Sequence, residues 1–307
     1  MTWWRRFGAR GVFWRHFLRW AVINVPIWIE PAVLGTWSLL FLTWTSGRRA
    51  VMHNLKRILP RSSALANFFR CYRVLWNFAW TIADNVRFKE MRTVPDWSFD
   101  GWEHFEEMKS RGGAILLTAH MGSADLGAHL FSEISPEQRI VMVRAPEVDP
   151  QTRGFEEKHL ADGLRIEFNT DGTDLAIQLL HALREGAIVA VQGDRVTPGI
   201  ASLPVSLFGD LVPLPSGPFA LALAARVPIY PLFVMRVGRR HYCLVTREAI
   251  TIERTRDRSE DIAAAMSKWA QQLESTVAGA WWQWFNFEPL ECGGPAAAFR
   301  NEHEAHP

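Results

Sequence analysis

The chain has 307 residues, 48% of them hydrophobic, with 34 Lys and Arg against 32 Asp and Glu for a net charge of +2. That length supports one sizeable core with a small appendage, and so mild a charge excludes the basic balance of a nucleic-acid-binding chain. Cys71, Cys243 and Cys292 stand at no paired spacing and no His-Glu-x-x-His segment occurs, so neither a disulfide framework nor a metal site is expected, and a reducing, cytoplasmic-side location follows.

Charge is unevenly placed. Arg5, Arg6, Arg10, Arg15 and Arg19 precede the first acidic residue, Glu30, and Trp3, Trp4, Trp14, Trp20, Trp28, Trp37 and Trp44 crowd the same stretch. A basic, Trp-rich start suits an anionic headgroup layer. Two charge-free runs, Trp20–Ile29 and Pro31–Gly47, hold ten and seventeen residues, against the roughly 20 that a membrane span needs. Pro26, Glu30 and Pro31 interrupt them, and Arg48 and Arg49 put positive charge on the far side too. Residues 1–47 are therefore expected to form a membrane-anchoring or interfacial segment, with a single span as the alternative. A cleaved signal peptide does not fit a long, Trp-rich stretch without a small-residue cleavage site.

Ser62 to Lys89 carries Leu65, Phe68, Phe69, Tyr72, Leu75, Trp76 and Ala79 at helical spacing, which predicts a helix with one apolar face. From Ala114 onward, apolar runs (114–118, 140–143, 165–168, 187–191, 228–235, 242–246) alternate with helical patterns (123–131, 151–160, 173–184, 217–226). Such alternation predicts an α/β domain over residues 48–290, with a mostly parallel central sheet flanked by helices. A last helix over Ser259–Val277 takes Ser259 as its cap. Phe208–Pro218, with three Pro and two Gly, reads as an irregular loop rimming a site. The patch Trp281–Phe285 suits either membrane contact or core closure, and residues 291–307 read as a disordered tail.

The chemistry concentrates after the first of these strands. Ala114–Thr118 follows Gly112-Gly113, so His120 lies at a strand's carboxyl end, where open α/β sheets collect ligands. Asp125 then falls in the first turn of the next helix. A carboxylate on one ring nitrogen fixes the tautomer and leaves the other nitrogen to take a proton from a hydroxyl. Two fixed residues are also a common arrangement without chemistry. Ser123 lies in no Gly-x-Ser-x-Gly elbow and reads as a helix start. Arg144, Asp194 and Arg195 follow other strands. A guanidinium there could bind phosphate or an oxyanion, and Asp194 could hold that Arg or orient an acceptor hydroxyl. Gly122 suits a turn or an oxyanion-binding amide. Strand-end charges equally make surface pairs or turn caps.

His120 and Asp125 match the His-x4-Asp/Glu motif of the lysophospholipid acyltransferase-like superfamily. The wider chain, over about residues 15–288, resembles its lipid A biosynthesis branch, the lauroyl/myristoyl acyltransferases. Arg49–Pro60 with Asn54-Leu55, Val143-Arg144, Gly193-Asp194-Arg195, Val205–Gly209 through Pro215-Ser216-Gly217, and Gln283-Trp284-Phe285 carry the resemblance. It departs where the family usually reads Gly-Asn-Trp-Glu and this chain has Gly122-Ser123-Ala124-Asp125, and where many members have Asp-Gln and this chain has Asp194-Arg195.

The resemblance implies a membrane-associated O-acyltransferase that moves a fatty acyl chain from a thioester to a hydroxyl of a lipid or glycolipid such as a lipid A precursor. The donor would be acyl carrier protein or coenzyme A, the former expected. His120 would be the general base with Asp125 as its partner, and Arg144, Asp194, Arg195 and Gly122 would serve the substrates. No cofactor beyond the thioester and no metal is implied, and the place is the inner (cytoplasmic) membrane with the site on the cytoplasmic side. Two other readings stand beside it: an acyl thioesterase or lipid hydrolase, and an inactive lipid-binding scaffold suggested by the Ser123-Ala124 departure.

Overall fold

Pro26 divides the charge-free amino-terminal runs into short helices in the computed structural model, which describes residues 12–144, 164–168, 172–197 and 199–290. Helix α1 spans Val12–Asn24 and α2 spans Glu30–Phe41, and α3 follows over Thr45–Ile58. Among the described residues, no helix is long and apolar enough to cross a membrane. All three pack along the long helix α4 (Ala64–Met91), whose first turn is capped by Ser63 Oγ accepting from the Ala66 amide. Leu34, Trp37, Leu55, Leu75 and Trp80 form the shared apolar core of this layer. The remainder of residues 1–47, the segment 151–160 and the tail 291–307 lie outside the described residues.

A buried charge cluster fastens the helical layer to the sheet. Arg87 of α4 pairs with Glu30 of α2 and stands 3.6 Å from Asp84, which accepts the Tyr242 hydroxyl at 2.9 Å and faces Arg236 Nε at 3.5 Å. Burial outweighs these partners and holds the Asp84 pKa above the ordinary carboxylate range.

After α4 come strand β1 (Asp96–Asp100), helix α5 (Trp102–Arg111), strand β2 (Ala114–Thr118), helix α6 (Ala124–Ile134), and strands β3 (Ile140–Arg144) and β4 (Leu164–Phe168). Helix α7 (Gly172–Arg184) leads into β5 (Ile188–Gln192), then β6 (Ser202–Leu207) and β7 (Asp210–Pro215). Helix α8 (Gly217–Ala225), strands β8 (Ile229–Gly238) and β9 (His241–Thr246), and helix α9 (Arg258–Ala280) complete the order. The central sheet runs β1-β9-β8-β2-β5-β3-β4. Every pairing in it is parallel except β8 with β9. The fold is thus mixed α/β with a mostly parallel central sheet flanked by helices. Strand β2 is buried throughout, as a strand covered on both faces must be.

Two local expectations are corrected. Phe208–Pro218 is largely one arm of an antiparallel hairpin, β6 with β7, which tolerates Pro because each strand has a free edge. Helix α9 takes Asp257 as its cap in place of Ser259, with Asp257 Oδ1 accepting from the Ser259 and Glu260 amides.

Candidate active site

Strand register sets the site. Strands β2 and β5 pair with Thr118 opposite Gln192, so two residues further on His120 and Asp194 emerge side by side. The backbone just before Asp194 is drawn in by the Gly193 amide, which donates to the Thr118 carbonyl at 2.8 Å, and by Trp269 of α9, whose indole donates to the Gly193 carbonyl at 3.0 Å. His120 Nδ1 lies 2.8 Å from Asp194 Oδ1, and the His120 amide donates to Asp194 Oδ2 at 3.0 Å. A third donor, Trp284 Nε1, reaches Oδ2 at 2.8 Å.

Asp194 is fully buried, which by itself would raise its pKa. The His120 ring, its hydrogen bond, the Trp284 indole and the His120 amide together hold it below the ordinary value. Asp194 is therefore an anion, and His120 Nδ1 is the donor in their hydrogen bond. On the other side of the ring, Nε2 stands 2.9 Å from Arg195 Nη2. A guanidinium only donates, so Nε2 is the bare lone pair. This is the Nδ1–H arrangement that a general base requires.

Asp125 falls in the first turn of α6, as its spacing predicts, with Oδ2 3.4 Å from Lys89 Nζ of α4, while the carboxylate on His120 Nδ1 is Asp194. An acid in that turn also faces the positive helix end. Ser123 caps α6: it accepts the Leu126 amide at 3.4 Å and donates to Asn85 Oδ1 at 2.9 Å, and it is buried. Asn85 and Lys89, one turn apart on α4, thus hold the start of α6.

Gly122 is required as a turn and is not a spare amide. Its φ is +58°, and a Cβ there would lie 1.5 Å from the Val234 carbonyl oxygen. Its N–H donates to the Gln283 carbonyl at 3.1 Å, which fits the turn of the two readings. Arg144 ends β3, and its side chain lies outside the described residues. Arg195 is present beside the ring, with Nη1 3.7 Å from Glu288 Oε1.

The closing segment supplies what the sequence reading missed. Gln283 hydrogen-bonds both backbone groups of Arg236, at 2.7 and 2.9 Å, and the Phe285 amide donates to the His120 carbonyl at 2.7 Å. Asn54 of α3 then donates to the carbonyls of Asn286 and Glu288 at 3.2 and 2.8 Å and accepts the Leu290 amide at 2.9 Å. The aromatic patch therefore closes the core at Trp284 and delivers an indole to the buried carboxylate. Among the described residues, no three His, Cys, Asp or Glu side chains gather as a metal ion would need.

No curated protein matches the chain. Among solved structures, the 1-acyl-sn-glycerophosphate acyltransferase PlsC of Thermotoga maritima is similar at 13% identity, over 82% of this chain and 97% of that one, with a TM-score of 0.37. The family profile described as bacterial lipid A biosynthesis acyltransferase matches residues 8–290. With nearly its whole length matched, the chain belongs to the bacterial lipid A biosynthesis acyltransferase family.

Proposed function

We propose that this acyltransferase moves a fatty acyl chain from an acyl thioester, carried by acyl carrier protein, to a hydroxyl of a lipid or glycolipid acceptor of the lipid A precursor kind. The observation that carries the reading is the His120 ring, held at Nδ1 by the buried Asp194 carboxylate with its Nε2 on the side away from it. Nε2 takes the acceptor hydroxyl proton as the oxygen attacks the thioester carbonyl. The new C–O bond forms, the C–S bond breaks, and the proton passes from Nε2 to the departing thiolate sulfur. Asp194 remains ionised and stabilises the imidazolium between these steps. Asp125, at the mouth of α6 beside Lys89, serves the start of that helix. Arg195 and Arg144 are assigned to anionic groups of the substrates.

Transfer is direct in this reading, without an acyl-enzyme. Ser123, the hydroxyl that a hydrolase would use, is buried and committed to Asn85 and the α6 cap. No cofactor beyond the thioester enters. Membrane association, on the cytoplasmic side of the inner membrane, is supported by Trp20, Ile27, Trp28, Leu39, Leu65 and Phe69, large apolar side chains that the helical layer leaves exposed.

The test is to incubate purified protein, wild type and His120→Ala, with acyl carrier protein thioesters and a panel of membrane-lipid acceptors, and to follow the acyl mass. Acyl lipid formed by wild type and lost in the variant is the expected outcome. Free fatty acid alone points to a hydrolase, and lipid binding with no His120-dependent product points to a scaffold.

A further inference from the structure

The contact between Arg195 and His120 is chemically odd. A cation rarely gains much from a neutral ring, yet Arg195 Nη2 sits 2.9 Å from His120 Nε2. A guanidinium has five N–H donors. Here Arg195 Nε is buried with no hydrogen-bond partner among the described residues, and its carboxylate neighbour, Glu288, is half-exposed and 3.7 Å away. Among the described residues, the arginine is short of anionic acceptors. Meanwhile an imidazole nitrogen has one in-plane lone pair, so Nε2 cannot accept from Arg195 and from an attacking hydroxyl together.

We propose that Arg195 is a resting cap on the general base, lifted off His120 Nε2 when a phosphate group of a bound substrate recruits the guanidinium. The inference rests on the reading of His120 as base. A phosphate offers paired oxygens to the guanidinium fork, a better match than one ring nitrogen. Capture of Arg195 then uncovers the lone pair at the moment a phosphate-bearing substrate is in place. Until that moment water has no active base to use, so the thioester is protected from idle hydrolysis. The same chemistry comes from two sources, a phosphate on the acceptor or the phosphodiester of a pantetheine arm.

The base lone pair can be probed without turnover. Diethyl pyrocarbonate acylates a bare imidazole nitrogen, and peptide mass spectrometry locates the adduct. In wild type, His120 should label slowly, and Arg195→Gln should speed labelling about tenfold, the scale of one hydrogen bond to a charged group. Inorganic pyrophosphate should speed it in wild type and leave the variant unchanged. In turnover, Arg195→Gln should raise the ratio of hydrolysis to transfer, and Arg195→Lys, which keeps the charge without the fork, should restore little of the control.

Comparing a pantetheine-free acyl thioester with the carrier-bound one, and acceptors with and without phosphate, shows which phosphate lifts the cap. Equal labelling of wild type and Arg195→Gln, both with His120-dependent transfer, overturns the cap and leaves the base standing. Transfer that survives in His120→Ala overturns the base itself.

Discussion

Trp284 and His120 share one carboxylate: the indole N–H and the His120 backbone N–H both donate to Asp194 Oδ2, at 2.8 and 3.0 Å. The closing segment of the fold is thereby part of the apparatus that fixes the tautomer of the proposed base, although Trp284 lies 90 residues from Asp194.

Asp194→Asn keeps the shape of the side chain and removes its charge. An amide cannot accept from three donors on the pattern seen here, and it favours the wrong His120 tautomer. Acyl transfer should fall by about 10²–10⁴-fold in kcat with little change in KM, the scale of losing an orienting carboxylate. Initial rates across thioester concentration check it.

Trp284→Phe removes one donor from a buried anion, a change of about 1.5–3 kcal/mol. Because the native pKa of Asp194 lies below its ordinary value, its ionised form contributes stability that is present above about pH 4 and lost as pH falls through the lowered native value. The stability gap between wild type and Trp284→Phe should therefore be widest near neutrality and narrow in acid. Denaturant midpoints at a series of pH values measure this, and a gap that widens below about pH 4 contradicts the assignment.

Asn54→Ala should orphan the buried Leu290 amide and loosen the carbonyls of Asn286 and Glu288. At about 1–3 kcal/mol for each buried group left unpaired, a loss of about 2–4 kcal/mol is expected. Tm should fall by roughly 5–15 °C. Hydrogen exchange at Phe285 and Leu290 should quicken more than exchange within β2.

Gly122→Ala and Gly186→Ala separate two kinds of glycine. Both positions have positive φ, +58° and +87°, but a Cβ at Gly122 would strike the Val234 carbonyl while one at Gly186 meets nothing within 4 Å. Gly186→Ala should cost about 1–2 kcal/mol. Gly122→Ala should exceed about 4 kcal/mol and yield little folded protein, which soluble expression and circular dichroism report.

Trp28→Glu with Leu39→Glu should leave folding intact, since both side chains are exposed. Each removes about 1.5–3 kcal/mol of apolar transfer free energy. Co-sedimentation with anionic phospholipid vesicles should fall about tenfold or more, and unchanged binding would move the membrane contact to another face.

Much of the fold was legible because its strands are short apolar runs and its long helix carries a continuous apolar face. The exposed edge strand Asp96–Asp100 was not, since two Asp and a Ser in five residues hide the pattern. Neither was the hairpin, where Pro204, Pro213 and Pro215 read as breakers. Within the site, the residues at strand ends were found, but Asp194 was not read as the carboxylate on His120 Nδ1. Spacing along the chain favours Asp125, five residues on, and carries no trace of the register that brings Asp194 alongside from 74 residues away. The Asn54 clasp is hidden for the same reason, its partners lying more than 230 residues further on.

The Glu30–Arg87 pair has a consequence for how such a protein can be taken apart. Glu30 belongs to the segment that reads as an anchor, and Arg87 to the helix that carries Asn85 and Lys89 to the site. Cutting the chain beyond Glu30 would take the nearer carboxylate from a buried guanidinium and strip the cover from α4. The segment proposed to meet the lipid is therefore not a removable tether. It cannot be traded for another anchor, by an engineer or by recombination, without rebuilding the packing of the helix that holds the start of α6.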